Sequence, residues 1–237
     1  ESAIIRLSKE WTKKGYQVTV FCACSEPGIY DGVTYKDNKE FSCTDIYNII
    51  IFWRSFEAPK LLNIKAKLRL IDAHDLILPT DVNDRVINNV DKICVKSKFH
   101  ASQLGPLATP DKYVIIPNGG AYDYIKPNVK KDPNYLIYAS SYDRGLYDML
   151  RYGWPKIKKE CPNAYLKIFY GWEGFDAAFR NEKCKEAEQY KKEMILLMSQ
   201  EGVSENGRID REMLLAEKAK ASIHYYIGNF QETDCIS

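Results

Sequence analysis

The segment NYLIYASSYDRGLYDMLRYGWPKIKKECPNAYLKIFYGW, residues 134–172, decides the fold. It opens on the apolar run Tyr135–Ala139, short enough for a strand and apolar on both faces. It closes on a second such run, Tyr165–Phe169. Between them Leu146, Met149, Leu150 and Ile157 recur at helical spacing. Strand, helix and strand in that order make a βαβ unit, the connection that parallel strands require. Ser140, Ser141, Asp143, Arg144 and Gly145 sit at the first turn of the unit. A plain strand-to-helix turn needs only a glycine and a cap, so the arginine needs a reason.

The same alternation runs outward in both directions. Upstream, residues 2–11 read as a helix, closed by Lys13, Lys14 and Gly15: basic residues in the last turn, then a glycine suited to a left-handed cap. Strands follow in YQVTVFC, GVTYKD, YNIIIFW (47–53), KLRLIDAHD (67–75), KICVKS and YVIIPNG (113–119). YNIIIFW is nearly all apolar, the pattern of a strand buried on both faces. Residues 122–134 carry two prolines and three lysines without periodicity and read as a linker. Downstream, helices are expected in KCKEAEQYKKEMILLMSQEG and REMLLAEKAKA, and a last strand in SIHYYIG. The expectation is an α/β protein with two Rossmann-like domains facing across a cleft. Residues 1–121 form the first domain and 135–237 the second, incomplete one. The chain starts at Glu1 within a helical pattern and stops without a terminator, so it is expected to be cut at both ends.

Bulk composition narrows the function classes. Thirty-four basic and 32 acidic residues leave a net charge of +2, which gives no electrostatic case for nucleic acid. No apolar run approaches the ~20 residues of a spanning helix. Seven cysteines at irregular spacing, with no Cys-x-x-Cys, read as reduced and mostly buried thiols in a cytoplasmic setting. Three isolated histidines make no metal-ligand pattern. No G-x-G-x-x-G or P-loop is present, so dinucleotide and ATP readings lose their usual support.

In open α/β sheets ligands bind beyond the C-terminal ends of the strands, so the polar residues there matter most. At the turn after Tyr138, Arg144 offers a planar fork that matches phosphate oxygens. Gly145 lets backbone approach, and Ser140 and Ser141 can donate further hydrogen bonds. The rival reading is a capped helix with a solvated arginine. His74, at a strand end beside Asp75, could bond a sugar hydroxyl or take a proton, or it could bond a loop carbonyl. His100, behind the N-cap candidate Ser97, and His224, inside a strand, read as structural. Glu232, after the last strand, could accept from two sugar hydroxyls or serve a helix N-terminus.

Taken in order, these motifs resemble the retaining, nucleotide-sugar-dependent glycosyltransferases of GT-B fold, family four (glycosyl transferases group 1). ESAIIRLSKEWTKKGYQVTVF resembles the helix and strand that follow the family's glycine-rich loop, and IDAHDL its His-Asp strand end. VDKICVKSKFH, VIIPNGGAYDYIKP and the start of a Glu-x7-Glu signature in NFQETDCIS match further segments. SSYDRGLYDMLRYGWPKIKKECP is similar to a subgroup with S-S-x-D-R-G-L. The resemblance implies transfer of a sugar from a UDP- or GDP-linked donor to a saccharide, lipid or protein acceptor. It implies neither metal nor cofactor, and it leaves peripheral membrane contact open. Arg144 with Gly145 would hold the donor diphosphate. Ser140 and Ser141 stand where many relatives carry Gly-Arg. His74 would lie near donor sugar and acceptor, and Glu232 would contact sugar hydroxyls. Two alternatives stay open: a nucleotide-sugar-binding scaffold with impaired catalysis, and a GT-B sugar-nucleotide epimerase.

Overall fold

The computed structural model describes residues 2–58, 64–119, 128–179, 185–228 and 231–234. The chain divides into two compact units, Glu1–Ile115 and Ile116–Ser237. Residues 122–127 of the expected linker lie outside the described residues. Its end does not: the first strand of the second unit starts at Asp132 rather than Tyr135. Asp132 pairs with Ala221, and its carboxylate accepts from the Tyr165 hydroxyl at 2.8 Å.

The first unit opens on helix α1 (Ser2–Lys13), and Gly15 after it takes φ +90°. Strands β1 (Thr19–Cys22) and β3 (Val33–Asp37) pair in parallel. Strand β2 (Gly28–Tyr30) pairs antiparallel with β3. That hairpin turns through Asp31 and Gly32, both at positive φ, the Asp-Gly chemistry that tight hairpins favour. A second sheet carries β4 (Ile46–Trp53), β5 (Lys65–Asp72), β6 (Lys92–Val95) and β7 (Tyr113–Ile115), in that order and all parallel. Helix α2 (Asp84–Asn89) starts on an Asn83 cap, whose side chain accepts from the Val86 amide. Helix α3 (Lys98–Ser102) starts on Ser97 in the same manner, as its sequence led us to expect. Ile71, Ile93, Val95, Val86 and Leu104 form the core. Two expectations need correcting here. β4 is an edge strand, and of its eight residues only Phe52 is buried. Of the five described cysteines only Cys94 is buried; the other four are half-buried or exposed.

The second unit carries β8 (Asp132–Tyr138), β9 (Tyr165–Ile168), β10 (Val203–Glu205) and β11 (Ala221–His224) in the order β10-β9-β8-β11, all parallel. Helix α6 (Glu173–Phe179), helix α7 (Lys185–Met198) and helix α8 (Arg211–Lys220) lie between its later strands. The run Tyr135–Tyr138 is buried throughout: Leu136 and Tyr138 face one core, Tyr135 and Ile137 the other. The helical stretch after β8 is not uniform. It runs as α4 (Leu146–Asp148), a π-turn (Met149–Gly153) and α5 (Trp154–Glu160). Pro155 brings no N–H to the ladder, so the Arg151 carbonyl could not be satisfied by an ordinary α-turn. The widened turn hands two carbonyls to neighbours. Met149 O accepts from the Tyr225 hydroxyl at 3.2 Å and Leu150 O from Gln200 Nε2 at 3.0 Å.

Gly202 leads into β10 at φ +78°, and a Cβ there would stand 2.9 Å from the Ala164 carbonyl oxygen. Gly202→Ala should therefore destabilise the second unit by about 2 kcal/mol, the cost of strained left-handed backbone. A urea midpoint equal to that of the parent would contradict this.

Candidate functional site

Three tyrosines build the turn after β8. Tyr138, buried at the strand end, donates its hydroxyl proton to Ser141 O at 2.7 Å, and the same oxygen lies 3.3 Å from Arg144 O. The Arg144 amide closes the turn on Ser141 O at 3.1 Å. Tyr142 points inward, donating to Glu205 and accepting from the Gly171 amide at 2.9 Å. Tyr190 donates to the Tyr142 carbonyl at 2.8 Å. Burial pushes the Tyr138 and Tyr142 phenols well above the ordinary value, so both act as neutral hydroxyls. Gly145 ends the turn at φ +81°, ψ −4°, a conformation that needs glycine. Ser140 is buried and Ser141 half-buried.

Arg144 does not wave in solvent. Its Nη1 donates to Glu232 Oε1 at 2.8 Å, across 88 positions of sequence. The same carboxylate oxygen accepts from the Tyr226 hydroxyl at 2.8 Å. The arginine side chain is 36% exposed and the glutamate 24%. Partial burial works against the guanidinium charge, but Glu232 and Tyr226 outweigh it and raise the pKa above the ordinary arginine value. Asn118, just past β7, anchors the segment that carries Glu232: its amide donates to Asp234 Oδ2 at 2.7 Å and its Nδ2 to Asp234 O at 3.1 Å. The structure thus joins two residues singled out separately in the sequence. It adds Tyr138, Tyr226 and Asn118, which sequence reasoning did not assign. The IPNG stretch quoted for the resemblance was the available signal for Asn118.

The first unit holds the other candidate. His74 lies two residues past β5, its ring 4.4 Å from that of Trp53 at the end of β4. Its Nε2 is 3.5 Å from Asp72 Oδ1, and Lys96 donates to that same oxygen. Burial pulls the Asp72 carboxyl up, but hydrogen bonds from His74 and Lys96 win and hold it below the usual range. Asp75 is gripped by the fork of Arg54, with Nε donating to Oδ2 at 2.8 Å and Nη2 to Oδ1. Arg54 itself sits at φ +56°. A cavity of about 210 Å³ opens there, lined by Arg54, Phe56, Glu57, His74, Asp75 and Asp81. His100 is fully buried, with Nδ1 accepting from the Lys96 amide at 3.1 Å, which suits the structural part expected of it. His224 ends β11 and stacks on Tyr226. Among the described residues, no three His, Cys, Asp or Glu side chains are placed to hold a metal ion, and no helix is long and apolar enough to cross a membrane.

No protein-family profile and no curated protein matches the sequence. Solved structures do match in fold. A glycosyltransferase from Rickettsia africae is similar at TM-score 0.65 and 14% identity, covering 98% of this chain and 70% of that one. Sucrose-phosphate synthase from Thermosynechococcus elongatus is similar at TM-score 0.64 and 14% identity, over 96% of this chain and 70% of that one. The pneumococcal O-GlcNAc transferase GtfA, solved with UDP and GlcNAc, matches 65% of this chain at TM-score 0.43 and 16% identity; the match spans 31% of its length. The chain has the α/β architecture with parallel sheets of the GT-B glycosyltransferases.

Proposed function

We propose that the protein is a glycosyltransferase that moves a sugar from a UDP- or GDP-linked donor to a saccharide, lipid or protein acceptor. Transfer proceeds with retention and without a metal ion. The observation that supports this reading is the meeting of Arg144 and Glu232 beyond the C-terminal ends of β8 and β11, in a chain with this fold. The reaction breaks the bond between the anomeric carbon and a diphosphate oxygen and makes one to the acceptor oxygen. The acceptor proton leaves with the diphosphate. Negative charge grows on the leaving group, and a fixed cation nearby lowers the barrier. Arg144 supplies that cation, its backbone pinned by Tyr138 and its turn completed by Gly145. Ser140 and Ser141 add hydrogen-bond donors where a second basic group would otherwise stand. Glu232 takes sugar hydroxyls, and His74 serves the reacting end of donor and acceptor.

The Arg144–Glu232 pair refines this picture. A diphosphate entering the turn competes with Glu232 for the guanidinium. Once displaced, the carboxylate is free to accept from the sugar. Glu232→Gln should therefore bind free UDP or GDP as well as the parent or slightly better. It should bind the sugar nucleotide about tenfold more weakly, one charge-assisted hydrogen bond of ~1.4 kcal/mol. Calorimetry decides: equal losses for nucleotide and sugar nucleotide would remove the sugar contact.

The reading itself is tested by incubating the protein with UDP- and GDP-sugars and a panel of acceptors, with and without EDTA. Glycosylated acceptor of retained configuration at undiminished rate in EDTA is expected. Accumulation of an epimerised donor would replace transfer by epimerisation, and binding without turnover would make the protein a scaffold.

A further inference from the structure

The Lys96 side chain is only 4% exposed, and neither the resemblance nor the proposed reaction gives it work. The strand register explains where it goes. Trp53 pairs with Asp72 across β4 and β5, and Asp72 pairs with Cys94 across β5 and β6. Side chains two apart on a strand share a face, so Trp53, Asp72, Cys94 and Lys96 lie on one side at the C-terminal ends of three neighbouring strands. His74 follows Asp72 by two and joins them. The lysine backbone is held as well, since its amide donates to Nδ1 of the fully buried His100. Its ammonium donates to Asp72 Oδ1, the oxygen that also faces His74 Nε2 at 3.5 Å. Asp72 and His74 are themselves only 15% and 17% exposed.

The Asp72 carboxylate lies between the imidazole and the lysine. Here a buried ammonium already supplies the counter-charge. We propose that Lys96, acting through Asp72, is a positioning residue for His74, holding the ring beside that of Trp53 with its proton on Nε2 toward Asp72. This inference rests on the reading of His74 as a site residue. The other charges near the ring are accounted for. Asp75 is engaged by Arg54, Glu57 and Asp81 line the same cavity, and the Cys94 thiol is pushed up by burial and stays neutral. His100 uses its Nδ1 as an acceptor.

Long-range proton–nitrogen correlation spectra of the full chain labelled at histidine test this without substrate. His74→Gln assigns the ring among the three histidines of the chain. In the parent, the His74 tautomer with its proton on Nε2 is expected; the tautomer with its proton on Nδ1 overturns the proposal with no further variant needed. Lys96→Gln keeps a donor for Asp72 but removes the charge. In it, the His74 signals should move away from the Nε2-protonated pattern of the parent, with His224 unmoved. Lys96→Arg should keep the parent signature. An unchanged His74 in Lys96→Gln overturns the proposal even if the variant is less stable, because a purely structural lysine would do that much. Turnover separates the two readings. If the ring signature moves while turnover stays, His74 is no site residue and the positioning link stands. If both move, kcat should fall about tenfold or more with donor KM little changed.

Discussion

Arg144→Ala is expected to weaken UDP or GDP binding roughly 30- to 150-fold, the 2 to 3 kcal/mol typical of hydrogen bonds to a charged group. Two effects add. The variant loses the planar fork that meets the phosphate oxygens. It also leaves Glu232, at present balanced by the guanidinium at 2.8 Å, as an uncompensated carboxylate close to an incoming anion. For that reason Arg144→Lys should recover part of the loss, since it restores charge without the fork. Combining Arg144→Ala with Glu232→Gln should recover another part, by removing the repulsion. Titration calorimetry with free nucleotide reads all three. An Arg144→Ala affinity equal to the parent's would remove the diphosphate assignment, and with it the main support for the proposed reaction.

Trp154→Ala should be the most damaging single change to the second unit, at about 4 kcal/mol. The indole is buried at the junction of the π-turn and α5, packed with Leu150, Leu166 and Met194. Its Nε1 donates to Glu201 O at 3.0 Å, fixing the approach to β10. Beside it, a Cβ on Gly202 would come within 3.3 Å of the ring, so that glycine and the tryptophan are shaped to each other. Truncation opens a cavity the size of an indole and orphans the Glu201 carbonyl. Small domains are stable by only 5–15 kcal/mol, so the loss should show as a large drop in the urea midpoint of this unit. A drop under 1 kcal/mol would mean that the surroundings collapse into the space.

Much of this architecture was legible in the sequence, because apolar periodicity reports directly on which faces are covered. Tyr135–Tyr138 read as a strand covered on both faces and is one. Tyr47–Trp53 reads the same way and belongs to an edge strand, since sheet position depends on pairing and not on local composition. The hairpin of β2 and β3 was missed although Tyr30-Asp31-Gly32-Val33 carries its turn signal. Three-residue strands such as β10 are too short to show a period. Of the candidate residues, Arg144, His74 and Glu232 stand out in the sequence as polar residues past strand ends, and Gly145 as the glycine of a turn. The ion pair between Arg144 and Glu232 was not, because nothing local links residues 88 positions apart. Lys96 hid for a similar reason: a lysine after an apolar strand reads as solvent-exposed, and only the register puts it against Asp72.

The π-turn Met149–Gly153 has a consequence for how the second unit breathes. Its carbonyls are bonded to Tyr225 and Gln200, and the Ile227 amide rests on the Met149 sulfur at 3.3 Å. The segment that follows β11, including Tyr226 with its bond to Glu232, is therefore clamped to the middle of the helix that begins at the Arg144 turn. Neither can loosen alone. Amide protons of the helix and of the 225–227 segment are therefore expected to exchange with solvent as one opening unit.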